Sequence, residues 1–388
     1  MHFRFCVSTI ILAMLPSIVL AQAANRPLPT AELRTLADVF GLLHSSYVKP
    51  LSGEELVLAS IRGMVREVDP DGGEFVTKEE MAKMEQVPGV SDGSIGLEMT
   101  RRDNQIVVVS PIVGSPAEKA GVHPGDIIDV IDGVSVRGEL KRAVQLLRGA
   151  IGSSATVSLH APGDSGREMR IVRQKLQAPF VRVSMATADV AVLKVTSFMS
   201  DTLASVASQL TQQWRKHPFK ALVLDLRRNA GGHLNIAVGL SSLFLAPQSL
   251  VAQTEGRMSG VNVTYLAEPK SYGRSSDVFS DVPQEIRQLP LVVLVDEGTS
   301  AGAELVVAAL RDHKRARIVG RKTFGNTGIR AVQSINQSGV LTFTVANWYP
   351  PSHEQIDKIG ITPDRVILAV DPQQEMDGAL TEVRAALH

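Results

Sequence analysis

The sequence predicts an α+β protein of several domains: a helical opening, a compact mostly-β middle and a layered α/β core. Three observations carry this. Apolar residues recur at helical spacing over residues 27–87, short strands punctuated by Gly and Pro fill 89–178, and strands alternate with helices over 180–370. At 388 residues two or three domains are expected, and 44% hydrophobic with 21% charged residues is ordinary globular composition. Forty basic residues balance forty acidic ones, which argues against a nucleic-acid footprint or a polybasic membrane patch.

Residues 1–23 stand apart. Arg4 precedes the apolar run Val7 to Leu20, which ends in Val19-Leu20-Ala21-Gln22-Ala23. That is the pattern of a secretory signal peptide, cleaved after Ala21 or Ala23. The run is short for a bilayer span and Pro16 interrupts it, so no membrane span is expected after cleavage, and the protein is expected to be exported, to the periplasm. The single cysteine, Cys6, lies inside the leader, so disulfides, thiol catalysis and cysteine-ligated zinc are excluded from the mature chain. No His/Asp/Glu set has metal-ligand spacing, and no phosphate-cradling loop is present; neither a metal nor a cofactor is expected.

In the helical opening, Leu33, Leu36, Phe40, Leu43 and Tyr47 form one periodic set, and Leu56, Ile61, Met64, Val65 and Val68 a second; a short helix over 78–85 follows. The β middle contains the strands Ile106 to Val109, Ile127 to Ile131 and Thr156 to Leu159, with one amphipathic helix from Glu139 to Leu147. In the core, Ala221 to Leu226, apolar but for Asp225, and Leu291 to Val295, apolar throughout, carry the mark of strands buried on both faces. Helices are expected over Leu203 to Trp214 and Ala303 to Leu310, and residues 371–388 form a C-terminal helix or tail. The Ser/Gly-rich stretch Gly256 to Ser280 reads as an exposed excursion.

Ser94-Ile95-Gly96-Leu97 opens the β middle, followed by Ser115 to Val122, Pro124-Gly125-Asp126-Ile127-Ile128 and Ile131-Asp132-Gly133. Together these resemble a PDZ domain of the bacterial protease-associated kind. The resemblance implies a small β-barrel or sandwich with a helix, in which Ser94, Ile95, Gly96 and Leu97 present backbone N–H groups to a terminal carboxylate. A peptide would then add as a strand beside them. Ala143, Val144 and Leu147 on the helix are the candidate pocket residues; the plainer alternative is that they are core and Gly96 only makes a tight turn.

Three motifs carry chemistry in the core. Leu224 to Gly232 is a strand running into a polar turn and two glycines, suited to an oxyanion hole. Val295 to Glu304 is a strand-to-helix turn rich in small residues, and Val319 to Asn326 is a strand followed by a Gly turn. With Trp348 to Ser352 and Lys358 to Asp364, they resemble the C-terminal-processing, or tail-specific, serine peptidases of the S41 type, over nearly the whole mature chain. That family uses a serine nucleophile and a lysine base. Here the serine position is Ala301, the lysine position twenty-five residues on is Asn326, and the glutamine that orients the lysine falls on Arg330. Gly231, Gly232 and Gly302 keep the oxyanion positions, although the proline before them is Ala230. Ala301 has nothing to attack a carbonyl with, and the Asn326 amide is no base near neutrality.

The resemblance therefore implies a protein that binds C-terminal tails without cutting them, with tails and either a second copy or an active paralogue as partners. Two other readings remain. In one, a displaced dyad of Ser300 and Lys322 keeps serine endopeptidase activity, although Ser300 reads more simply as a helix-capping residue and Lys322 as a surface lysine. In the other the chain is a non-catalytic periplasmic scaffold. His233 and His353 lie near the motifs, but neither has a recognisable carboxylate partner in the sequence.

Overall fold

The computed structural model describes residues 29–85, 93–176, 180–336, 338–368 and 371–387, so the expected leader lies outside the described residues. These form two compact units: 93–329 with 345–387, and 29–85 with 330–344. The fold is mixed α and β, as the patterning predicts.

The smaller unit opens with α1 (Thr30–Ser46) and α2 (Gly53–Val68). Ser52 starts α2 through a capping box: its hydroxyl accepts from the Glu55 N–H, and the Glu55 carboxylate accepts from the Ser52 N–H. Next come β1 (Glu74–Thr77) and α3 (Lys78–Glu85). Contrary to what its apolar periodicity suggests, α1 buries no residue at all.

The middle domain contains β2 (Gly93–Ser94), β3 (Leu97–Arg102), β4 (Gln105–Pro111), α4 (Pro116–Lys119), β5 (Ile127–Ile131), β6 (Val134–Ser135), α5 (Leu140–Leu147), β7 (Arg148–Gly149), β8 (Ser154–His160) and β9 (Arg167–Val172). Its main sheet runs β3-β4-β5-β8-β9, all antiparallel, with β6 on β5; β2 pairs with β7. β3 is therefore an edge strand. The core gathers Ile95, Val108, Ile128, Ile131, Ala143, Leu147 and Val157, all almost wholly inaccessible.

The remaining elements of the core are β10 (Val181–Met185), β11 (Val190–Val195), α6 (Thr202–Lys216), β12 (Ala221–Asp225), α7 (Leu234–Phe244), β13 (Leu250–Gly256), β14 (Val263–Leu266), α8 (Gln284–Gln288), β15 (Leu291–Val295), α9 (Gly302–Asp312), β16 (Arg317–Gly320), β17 (Gly328–Ile335), β18 (Gly339–Tyr349), β19 (Arg365–Val366) and α10 (Pro372–Ala385). The sheet β10-β11-β12-β15-β16-β19 is parallel apart from the β10–β11 pair. Alternate residues of it, Val192, Val223, Val292 and Val319 among them, pack on Ala379, Leu380 and Val383 of α10. The intervening residues are buried as well, so both faces are covered; α6, α7 and α9 supply the second layer. Active turns of such sheets lie at the carboxyl ends of the strands, where β12, β15 and β16 end side by side.

The stretch from Gly256 to Ser280 is not the exposed excursion its composition suggests. It contributes β14, and Ala267, Tyr272 and Phe279 are buried. The last residues of β18 pair with β13 (Thr254 opposite Trp348), and its first residues pair with β1 in the smaller unit.

Candidate functional site

The turn after β12 is bound in place by Asn229, a residue the sequence reading passed over. It is fully buried: Nδ2 donates to the Val195 carbonyl at 3.0 Å and Oδ1 accepts from the Gly231 N–H at 2.9 Å. Its own carbonyl accepts from the Ser300 N–H at 2.9 Å, so Asn229 ties together the ends of β11, β12 and β15. The sequence signals only its place, an Asn between an apolar strand and a Gly-Gly pair, and not its bonding.

Both glycines are required by space and conformation. Gly231 has φ +98°, and a Cβ there would lie 2.8 Å from Ala301 Cβ; Gly232 has φ +135°, and a Cβ would lie 2.4 Å from the Phe198 carbonyl oxygen. Because Gly231 already donates its N–H to Asn229, it is not an oxyanion donor in this arrangement. The N–H groups of Gly232 and Gly302 donate to no described residue, and they are the pair left to stabilise an oxyanion.

Under the turn, Asp225 pairs with Lys194 at 3.2 Å and with Arg227 at 2.9 Å. Burial would raise the Asp225 carboxyl, but the two cations outweigh it and hold it below the ordinary range. Arg227 continues to Glu375 on α10 at 2.7 Å, and Arg321 also pairs with Glu375.

At the start of α9, Ala301 is 2% exposed and adopts φ 50°, ψ −118°, a strained conformation for a residue with a side chain. That is the conformation of a turn built to project a short side chain, and here it projects a methyl. Ser300 does not cap the helix as the sequence suggests: it is fully buried and its hydroxyl has no partner among the described residues.

Glu304, wholly buried, joins the Ala301 and Asn326 positions. Its Oε1 accepts from Thr323 Oγ1 at 2.5 Å and the Gly325 N–H at 2.7 Å; its Oε2 accepts from the Ala301 N–H at 3.0 Å and the Asn326 N–H at 2.9 Å. Two backbone nitrogens on one oxygen are necessarily neighbours, so Ala301 and Asn326 stand side by side. Desolvation raises the Glu304 carboxyl to about 7 against the pull of those four donors. The Lys358 to Ile361 segment backs the same turn: Thr323 N–H donates to the Ile361 carbonyl at 3.1 Å, and Lys358 N–H to the Gly325 carbonyl at 3.1 Å.

The other predicted residues separate. Lys322 is exposed and shares no hydrogen bond with buried Ser300. Arg330 lies on β17 in the smaller unit, where Nη2 donates to the Asp71 carbonyl at 3.3 Å. His353 does have a carboxylate partner, contrary to expectation: Nε2 lies 2.8 Å from Glu255, on the exposed surface.

In the middle domain, Gly96 has φ +83°, and a Cβ there would lie 2.3 Å from Ser115 Cβ, so glycine is obligatory. Its N–H donates to Ser94 Oγ at 3.2 Å. Along α5 only Val144 of the three proposed residues is half-exposed. Ala143 and Leu147, one helical turn apart, lie on the stripe that faces the core, as does Ile95 in the loop. Half-buried Leu97, Leu140 and Val144 form the apolar floor beside the β3 edge. This domain also touches the core turns. Arg102, at the end of β3, donates to the Gly325 carbonyl at 2.9 Å and covers the Phe324 ring at 4.0 Å. Glu118 of α4 pairs with Arg228 of the β12 turn, and Ser110 Oγ donates to the Arg228 carbonyl at 3.3 Å.

Among the described residues no cluster of His, Cys, Asp and Glu could hold a metal ion, and no helix is long and apolar enough to cross a membrane.

Comparison with known proteins agrees with this architecture. Residues 189–367 match peptidase family S41, and residues 107–159 match the PDZ domain. The chain is 31% identical over 358 residues to a carboxy-terminal-processing protease of Bartonella bacilliformis, covering 90% of this chain and 79% of that one. It is 31% identical over 338 residues to a probable CtpA-like serine protease of Staphylococcus saprophyticus, covering 87% of this chain but 65% of that longer relative. Among solved structures, a photosystem II D1 C-terminal processing protease superposes with a TM-score of 0.71 at 26% identity, covering 89% of this chain and 90% of that one. With that likeness spanning the β middle, the α/β core and their catalytic turns, the chain belongs to peptidase family S41, the carboxy-terminal-processing proteases, and carries a PDZ domain.

Proposed function

We propose that this protein is exported to the periplasm and binds protein C-terminal tails through its PDZ domain, with peptidase activity lost or severely impaired. One observation carries the second half. The backbone of the catalytic turns is built, with Glu304 holding Ala301 beside Asn326 and the Gly232 and Gly302 N–H groups uncommitted, but neither side chain can do the chemistry. Removing one member of a catalytic unit costs about as much as removing all of it, and an oxyanion hole alone supports only weak residual catalysis. Tail binding is supported by the open β3 edge, the Gly96 turn and the apolar floor of Leu97, Leu140 and Val144.

A displaced Ser300–Lys322 dyad is disfavoured, because a nucleophile with no exposed surface cannot meet a substrate and no hydrogen bond links it to Lys322.

Two measurements test the proposal. Calorimetry with tail peptides should show binding that C-terminal amidation weakens by at least about tenfold, since amidation removes the charge the loop reads. Equal binding of both forms sinks the tail-binding claim. The wild-type chain should not turn over those peptides, nor should Ser300 be labelled by a serine-directed covalent probe. Turnover or labelling sinks the claim of lost activity. Reinstating both groups together, Ala301→Ser with Asn326→Lys, is expected to give measurable cleavage.

A further inference from the structure

A cavity of about 780 Å³ opens at the end of α7, beside α8 and the turn that follows α9. Its lining residues Gln288 and Arg315 shortly precede β15 and β16. The cavity therefore lies at the amino ends of those strands, away from the turns at their carboxyl ends. Three cations line it, Arg287, Lys314 and Arg315, and no carboxylate does; Phe244, Pro247 and Val282 supply an apolar wall. A volume of that size suits a small organic molecule.

The cations are unevenly answered. Elsewhere in the core, Arg227, Arg311 and Arg321 each meet a carboxylate, of Asp225, Glu354 and Glu297. Half-buried Arg315 meets only carbonyls: Nε donates to Phe244 at 3.0 Å, and Nη2 to Arg287 and Leu289, each at 2.8 Å. Those dipoles fix the side chain without cancelling its charge, and Nη1 donates to no described residue. Burial with no counter-charge draws the guanidinium below its ordinary range. Arg287 is also only half used. Its Nη2 serves Asp277 at 2.8 Å and the Phe279 carbonyl at 2.6 Å, which leaves Nε and Nη1 with no described partner. Exposed Lys314 follows the cap of α9 at φ +54°, the left-handed conformation in which glycine is the favoured residue. A clamp on carbonyls alone needs neither spare N–H groups on two guanidinium forks nor a lysine at a glycine position.

We propose that this cavity binds a phosphate monoester carried on a small apolar body. The three lining cations less the carboxylate of Asp277 leave two positive charges. That balance matches a phosphate dianion, whereas a lone carboxylate would leave one charge unanswered. Guanidinium forks with spare N–H groups suit its several acceptor oxygens, and Lys314 adds a point charge at the rim. The wall of Phe244, Pro247 and Val282 would cover the body. A soluble ester and a phospholipid headgroup present the same group to the site. This inference is independent of tail binding and of the state of the peptidase turns.

Calorimetry on the leader-free chain in phosphate-free buffer tests it. Phenyl phosphate is expected to bind with a dissociation constant of about 1 mM or tighter. Inorganic phosphate should bind at least about fivefold more weakly, because it leaves the apolar wall uncovered. The test variant combines two exposed positions. Lys314→Asn removes a charge but keeps a residue that tolerates the left-handed conformation. Gln284→Glu sets a carboxylate in the lining at the first turn of α8, where an acid suits a helix. The double variant should melt as the wild type does and keep its affinity for tail peptides, yet bind phenyl phosphate at least about tenfold more weakly. Benzoate binding as tightly as phenyl phosphate overturns the proposal, as does phenyl phosphate binding that the double variant leaves unchanged. So does the absence of binding up to about 10 mM. Co-sedimentation with phosphatidylcholine vesicles containing phosphatidic acid separates the two sources. Vesicle binding that the double variant loses supports a lipid headgroup, and phenyl phosphate binding without vesicle binding supports a soluble ester.

Discussion

Glu304 is subject to opposing effects: complete burial favours its neutral form, and four converging donors favour its anion. Burial dominates and places the carboxyl at about 7, above its ordinary 4.5. An acid raised by folding binds its proton more tightly in the native state. Its contribution to stability is therefore full below the ordinary carboxyl range and declines as pH rises through about 7. The native state should accordingly lose stability between about pH 5 and pH 8, by an amount on the order of a few kcal/mol. Glu304→Gln should remove that slope, and at pH 8 it should also lose stability because an amide NH2 would face backbone donors. Urea titrations of both proteins across the range decide this; parallel pH profiles would show that Glu304 does not titrate there. A second residue, Ala301, offers a separate check. Replacing an alanine by glycine inside regular structure ordinarily costs about 0.5–1 kcal/mol. At φ 50°, ψ −118° the methyl is strained by about 1–3 kcal/mol, so Ala301→Gly should be neutral or stabilising. A loss above about 1 kcal/mol would remove the strain argument.

Among the elements, α10 shows how much of the site's support is remote in sequence. Glu375, 2% exposed, answers both Arg227 of the β12 turn and Arg321 after β16. Glu375→Ala takes one carboxylate from each of two guanidinium groups, of which Arg227 keeps Asp225 and Arg321 keeps Glu297, and should destabilise the protein by about 1–3 kcal/mol. Thermal denaturation reads it, and a change under about 1 kcal/mol would mean the pairs are surrounded by water that takes over. No pattern near Gln374 or Glu375 announces this role, because a charged residue on an amphipathic helix looks solvated until the partner is placed. By contrast β12 and β15 were plain in the sequence, since runs of four (Ala221 to Leu224) and five (Leu291 to Val295) consecutive apolar residues match strands covered on both faces. The three turns that match the family's motifs were equally plain, because each needs glycines or small residues at fixed offsets. The apolar face of α5 was half legible: periodicity marks Ala143, Val144 and Leu147 as inward, but it cannot separate a residue in the core from one on the groove floor. The bonding of Asn229 and Glu304 escaped because it runs largely to backbone atoms of segments remote in sequence, Val195 for the one and residues 323–326 for the other, which side-chain identity does not encode.

On the scale of the larger unit, the PDZ domain and the α/β core are joined at the two turns where the family's chemistry would occur. Arg102 holds the Phe324–Gly325 backbone, and Glu118 holds Arg228 just ahead of the Gly-Gly pair. Arg102 also ends β3, the strand whose free edge would receive a peptide, and α4 lies against the Gly96 loop, where the Ala117 N–H donates to the Ile95 carbonyl at 2.9 Å. Each fastening is partly exposed and individually modest, so neither alone should control the junction. Together with Ser110 they fix the PDZ domain against both turns. Arg102→Ala with Glu118→Ala should therefore leave each domain folded and tail binding within about threefold of wild type, but loosen the junction. Faster amide exchange over residues 323–326 and 228–232 and an increased radius of gyration in X-ray scattering are the expected readouts. Unchanged exchange in both turns would show that apolar contact, not these charges, seats the domain. Slow exchange in one turn alone would assign the seating to the other fastening.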